Sequence, residues 1–147
     1  MLKDYEYADF ETKEENWNEY KIEDGTTIRV KFIMVKILRR EITGGHDFRF
    51  NSSKVISVNA PLEKSGKPSD GNYSPEELFD SITETDMKFK QVNEEKWNKY
   101  LLKDGTKIMA KLAITDIGKT DKYDEFGDPI YNIQSQPLFK AVPPKKR

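Results

Sequence analysis

One stretch of this chain occurs twice, and the repetition constrains the fold more than any other feature. Residues 14–31 read E-E-N-W-N-E-Y-K-I-E-D-G-T-T-I-R-V-K, and residues 94–111 read E-E-K-W-N-K-Y-L-L-K-D-G-T-K-I-M-A-K. The shared frame E-E-x-W-N-x-Y-x-x-x-D-G-T-x-I-x-x-K keeps its spacing throughout, so an internal duplication is the economical explanation. A chain of 147 residues then holds two copies of roughly 60–80 residues each. Units that short bury only about 60% of their unfolded surface. The copies are therefore expected to pack on each other or on another subunit.

Within each copy the pattern is that of a β-hairpin. Trp17, Tyr20 and Ile22 precede Asp24-Gly25, a strong hairpin signal because glycine tolerates the positive φ of a tight turn. Ile28, Val30, Phe32 and Met34 follow at period two and should line one face of a long strand. Beyond Met34 both faces turn apolar at Ile33, Val35 and Ile37, as for a strand covered on both sides. Gly44-Gly45 marks the next turn, and Phe48, Phe50 and Val55–Val58 supply two further short strands. The second copy places Ile108, Ala110, Leu112 and Ile114 at the matching positions. Its turn, between Tyr123 and Tyr131, is longer by three residues. An insertion at a loop tip is what a duplicated fold tolerates.

These signals predict a mainly β chain of two tandem small β-barrel-like repeats, residues 1–61 and 87–147. Residues 62–86 join them as a linker carrying one short helix at about 74–82. Glu63–Tyr73 is rich in Lys, Ser, Gly and Pro and reads as flexible. Ser74, Pro75 and Glu77 form a capping-box start for the helix, whose apolar stripe of Leu78, Phe79 and Ile82 is expected to cover an open barrel end. Met87 and Phe89 are expected to lead a strand into the second copy. Tyr5, Tyr7 and Phe10 suit a strand laid along the first copy, or an unordered terminus.

Charge limits the function. With 25 basic and 26 acidic side chains the net charge is −1, whereas proteins that live on phosphate neutralisation are usually net basic. The chain has no cysteine, hence no disulfide, thiolate metal site or cysteine nucleophile. No targeting signal and no apolar run of about 20 residues stands in the sequence, which suits a cytoplasmic protein. There is no phosphate loop, zinc spacing or Ser, His and Asp arrangement, and Asp124, Glu125 and Asp128 do not form a calcium loop. No catalytic residue, cofactor or metal site is expected. His46, the single histidine, is expected to be exposed beside its glycines.

The repeated Trp17, Trp97, Tyr20 and Tyr100 have two readings. They fill small cores, as large aromatics do, or they form a stacking platform for a base or a proline-rich peptide. The core reading is preferred, and Asn18 and Asn98 are read as satisfying nearby backbone groups. Arg39, Arg40 and Lys111 join the aromatics as possible nucleic-acid contacts. The basic tail from Lys145 is read as solvated. Tyr123, Phe126 and Tyr131 mark a possible partner loop.

Residues 102–116, L-K-D-G-T-K-I-M-A-K-L-A-I-T-D, resemble the first signature of Sm-like proteins: a leucine, a K-D-G turn, an alternating strand and a late aspartate. Ala110 and Val30 stand where that family commonly has glycine, Lys36 replaces the aspartate in the first copy, and no I-R-G second signature is present. The resemblance implies an SH3-like small barrel more than it implies RNA binding. The expected function is non-enzymatic binding or assembly through protein contacts, including self-association. Single-stranded nucleic-acid binding is the alternative.

Overall fold

The computed structural model describes residues 4–145. In chain order the strands are β1 (Glu6–Tyr7), β2 (Phe10–Glu14), β3 (Trp17–Ile22), β4 (Thr27–Ile42) and β5 (Gly45–Asn59). Helix α1 (Pro75–Asp80) follows, then β6 (Ile82–Glu84), β7 (Phe89–Gln91), β8 (Asn98–Leu102), β9 (Lys107–Tyr123) and β10 (Pro129–Val142). They build two five-stranded antiparallel sheets, each organised on one long central strand, β4 or β9. Both sheets are open paths, and no closed barrel forms among the described residues. Phe48, Phe50 and Val55–Val58, expected as two short strands, belong to the single 15-residue β5.

The sheets exchange strands. β2, at the start of the first copy, pairs with β8 of the second copy, Phe10 opposite Leu102. β7, at the start of the second copy, pairs with β3 of the first, Phe89 opposite Ile22. Met87 and Phe89 thus lead into the first copy's sheet. β1 and β6 stay on their own copies' long strands, so the Tyr7 strand does lie along the first copy. Matching amides repeat the arrangement: Ala8 N–H donates to Ile37 and Met87 N–H to Ile117, each at 2.9 Å. Such reciprocal contacts define an isologous, pseudo-twofold relation between the copies.

Alternation along β4 behaves as expected as far as Met34. Ile28, Val30, Phe32 and Met34 are buried. A register shift then falls between Met34 and Lys36, leaving Val35 outside at 46% exposure and Ile37 buried. The apolar residues on both faces therefore mark a β-bulge, where one extra residue reverses the inward phase, and not a doubly covered strand. A shift at Thr115, opposite the step from Gln134 to Ser135, repeats the device in β9, with Ile117 buried in place of Ile37.

The linker is docked instead of free. Gly66 N–H donates to Gly127 (2.8 Å) and Ser69 N–H to Asp124 (3.0 Å), while the Ser69 hydroxyl donates to the Tyr123 carbonyl (2.6 Å). Close approach requires glycine here, because a Cβ on Gly66 would meet the Tyr123 ring at 2.4 Å. Helix α1 has its capping box in place. It buries no residue, and Phe79 is 70% exposed, so the expected apolar cover over a barrel end is absent.

Candidate functional site

The repeated frame builds a latch between the copies. Tyr20 and Tyr100 are buried and pack edge-on against Phe89 and Phe10, the aromatics of the exchanged strands. Each hydroxyl donates to the other copy's glutamate: Tyr20 to Glu95 and Tyr100 to Glu15 (2.7 Å). Burial first, and then these carboxylate hydrogen bonds, push both phenols above their ordinary pKa. Asn18 accepts from Lys96 N–H (2.9 Å) and donates to the Lys96 carbonyl (3.1 Å). Asn98 reciprocates by accepting from Asn16 N–H (2.8 Å), and its amide donates to the Phe32 carbonyl (2.8 Å). The asparagines do satisfy backbone groups, but across the duplication and not beside their own hairpin.

Trp17 and Trp97 are not core. Trp17 is 36% exposed, with the Arg29 guanidinium 4.5 Å and the Lys31 ammonium 5.6 Å from its ring centre. Arg29 is also ion-paired to Glu19 at 3.2 Å. Trp97 is half-buried under Lys111 at 4.7 Å, and Lys111 faces Glu95 at 3.6 Å. The ring surface is thus shared with the protein's own cations, and two of those cations already have carboxylate partners.

A second junction, also used twice, joins each Asp-Gly-Thr turn to the far copy. In both turns the aspartate accepts from the threonine amide two residues on (2.9 Å). The Tyr131 hydroxyl donates to Asp24 (2.6 Å) and lies 2.9 Å from the Thr26 hydroxyl. Burial disfavours the Asp24 carboxylate, but the bonds from Tyr131 and Thr26 outweigh it and hold its pKa low; burial and Asp24 raise that of Tyr131. At the other junction Arg39 reaches Asp104 at 2.8 Å. Phe48 occupies the Tyr131 position by alignment and has no hydroxyl.

The strand leaving each sheet passes its own turn through a proline. Pro61 stands over Gly25 and Pro144 over Gly105, each within about 3.3 Å of where a Cβ would sit. After Pro61 the linker crosses the tip of the β9–β10 hairpin. Tyr123 is half-buried there and Gly127 buried, while Phe126 stays 78% exposed and Tyr131 is buried. Of the expected partner loop, only Phe126 is free. Beside Pro144 none of the described residues covers the corresponding surface. A groove of about 550 Å³ lies there, lined by Ile42, Phe48, Ala141 and Pro143 together with Asp104 and Thr106 of the turn. Every residue from Glu41 to His46 is exposed.

A polar cleft of about 420 Å³ adjoins Arg39, Arg40 and Glu6. Arg40 pairs with Asp47 at 3.1 Å and lies over the Tyr5 ring. Among the described residues no group of three His, Cys, Asp or Glu side chains is placed to hold a metal ion. The fold and site define a class: a duplicated, strand-exchanged β protein whose repeated polar residues hold it together and whose open groove lies where the copies differ. No family model matches the chain, and no curated protein or solved structure shows significant similarity to it.

Proposed function

We propose that the chain is a non-enzymatic binding module that holds another polypeptide in the groove between the β4–β5 hairpin and the second Asp-Gly-Thr turn. One observation carries this reading: of two hairpin tips placed alike by the pseudo-twofold, one is covered by the chain's own linker, and none of the described residues covers the other. The groove is largely apolar, and mixed apolar and polar concavities of this size suit side-chain recognition. Tandem small barrels remain the evolutionary picture behind the two open sheets, each copy having lent a short strand, β2 or β7, to the other. The test is quantitative capture of partners by the whole chain and by Ile42→Asp. Ile42 is 48% exposed, so the change spares the core. Partners lost with the variant are expected; identical capture by both chains refutes the reading.

Single-stranded nucleic-acid binding draws on the exposed Trp17 ring. Oligonucleotide binding that falls steeply with salt would favour it, and its absence at low salt removes it. The cations over both tryptophans weigh against it, since a base would have to displace them.

A further inference from the structure

We propose that the Asp70–Gly71 peptide is a modification site: it isomerises spontaneously through a succinimide to isoaspartate, and the change loosens the linker from the β9–β10 tip. The proposal is independent of the groove reading. Asp-Gly occurs three times in the chain, at 24–25, 70–71 and 104–105, and the same chemistry is open to each pair. The glycine amide nitrogen attacks the aspartate Cγ and closes a five-membered ring. One carboxylate oxygen leaves as water, taking the amide proton and one proton from solvent. Water then opens the ring at either carbonyl. Opening at Cγ restores aspartate, whereas opening at the backbone carbonyl leaves the chain running through Cβ and Cγ, one atom longer. Glycine favours the attack, since it has no Cβ in the way and its backbone turns freely.

The structure separates the three sites. In the two hairpin turns the attacking amide is already bound, Gly25 N–H to the Ile22 carbonyl (2.9 Å) and Gly105 N–H to the Leu102 carbonyl (3.0 Å). The carboxylates are held from two sides, Asp24 by Thr26 N–H and the Tyr131 hydroxyl, Asp104 by Thr106 N–H and Arg39. These bonds outweigh burial and keep both groups ionised to lower pH than usual, which opposes loss of an oxygen as water. Attack there requires opening a hairpin whose threonine, Thr26 or Thr106, is buried. Asp70 and Gly71 are instead exposed and outside every strand and helix. Gly71 has φ +74°, and a Cβ on it would meet nothing within 4 Å. Its N–H donates to the Ser69 hydroxyl, and the Asp70 carboxylate accepts from Asn72 N–H, each at 3.0 Å. Both bonds lie within one short segment, so the attack geometry is reached by local opening alone.

Position gives the change its effect. The Ser69 hydroxyl that donates to the Tyr123 carbonyl accepts from Gly71 N–H and from the Tyr73 hydroxyl (2.9 Å). An extra backbone atom between Ser69 and Gly71 displaces both donors and so weakens the seat of the linker on the hairpin.

The experiment ages the whole chain at neutral pH for weeks, folded and in urea. Isoaspartate is then located by peptide mapping, through separation of equal-mass peptides and enzymatic methylation of the isoaspartyl carboxyl. In the folded chain it should form at residue 70 at least about tenfold faster than at 24 or 104, where a hairpin must open first. In urea the three sites should react at similar rates. Chymotryptic cleavage after Tyr73 should rise several-fold in the aged chain and stay unchanged in aged Asp70→Glu, whose longer side chain closes the ring poorly. No excess of isoaspartate at residue 70 in the folded chain, or the same preference in urea, would overturn the site. Isoaspartate at residue 70 with unchanged cleavage would overturn the loosening.

Discussion

Replacing Asn98 by alanine removes a side chain that is 2% exposed and bonded to three groups from three segments. Its oxygen holds Asn16 N–H; its amide holds the Phe32 carbonyl and lies 3.2 Å from the Tyr100 hydroxyl. The hydroxyl keeps Glu15, but the Asn16 amide and the Phe32 carbonyl lose this partner. Each unpaired buried polar group costs about 1–3 kcal/mol, so the variant should lose about 3–5 kcal/mol once the residual cavity is included. That is a large share of the 5–15 kcal/mol typical of a folded domain. Asn18→Ala is the internal control. It frees only the backbone of Lys96, an exposed residue where water replaces the lost partner, and should cost about 1–2 kcal/mol. Urea unfolding reads both variants, with the midpoint falling and the slope unchanged. A melting temperature lower by about 10 °C for Asn98→Ala is expected from the scaling for domains of this size. A loss below about 1 kcal/mol, or a larger loss for Asn18→Ala, would refute the claim that this asparagine locks the copies together.

Alkaline pH should destabilise the fold through Tyr20, Tyr100 and Tyr131, whose pKa values are raised by burial and by carboxylate partners. A raised folded pKa means full stability below the unfolded phenol value of about 10 and loss as pH climbs from there towards the folded values. Melting temperature and phenolate absorbance should change together, and phenolate formation near pH 10 without loss of stability would refute this. Asp24 and Asp104 shift the other way, so their contribution is present above about pH 3.8 and disappears as pH falls through their lower folded values. Cutting the chain between Gly71 and Asn72, both exposed, should leave the halves associated, because β2 and β7 each complete the other half's sheet; separation at micromolar concentration in sizing chromatography would count against the exchange. Gly66→Ala should lift the linker from the β9–β10 tip and speed proteolysis at residues 66–73 several-fold with little change in global melting, whereas unchanged cleavage would show that the docking is not held by this close approach.

What the amino-acid pattern disclosed was what local physics decides. The Asp-Gly turns, the period-two faces of β4 and β9 and the helix start at Ser74 depend on neighbouring residues, and each stands in the structure. The exchange of β2 and β7 was not legible. Phe10 and Phe89 need an apolar neighbour and a strand edge, and the two copies offer near-identical edges. Sequence pattern is indifferent to the choice; geometry in the short crossings before β3 and β8 makes it. A signal for the latch was nevertheless present. Glu15, Asn18 and Tyr20 recur together with Glu95, Asn98 and Tyr100, and a hairpin turn by itself requires none of these polar groups. Polar residues kept through a duplication at otherwise apolar faces point to contacts between the copies. The tryptophans misled for the opposite reason: an aromatic of that size is usually core, but Arg29, Lys31 and Lys111 cover these rings from outside by cation–π contact.

The proposed function rests on the divergence between the copies and not on their identity. The residues kept in both copies are largely consumed by the latch and the turns, so they have little left to offer a partner. At the second kind of junction the copies solve one problem differently. Tyr131 ties the first turn through a hydroxyl, with the linker continuing outward from it. Its aligned residue Phe48 cannot make that bond, and Arg39 ties the second turn instead, at a position that is Lys119 in the other copy. Exchanging hydroxyl for phenyl leaves an apolar wall where the covered side has a polar anchor. The three-residue extension that lengthens the β9–β10 tip, whose carbonyls meet the linker, is absent from the β4–β5 tip, which turns in two residues, Thr43 and Gly44. Each difference makes one tip suited to its own linker and leaves the other shorter, more apolar and, among the described residues, uncovered. Two unlike hairpins thus stand on a symmetric latch, and among the described residues the β4–β5 tip is the one left uncovered, at the groove for which binding is proposed above.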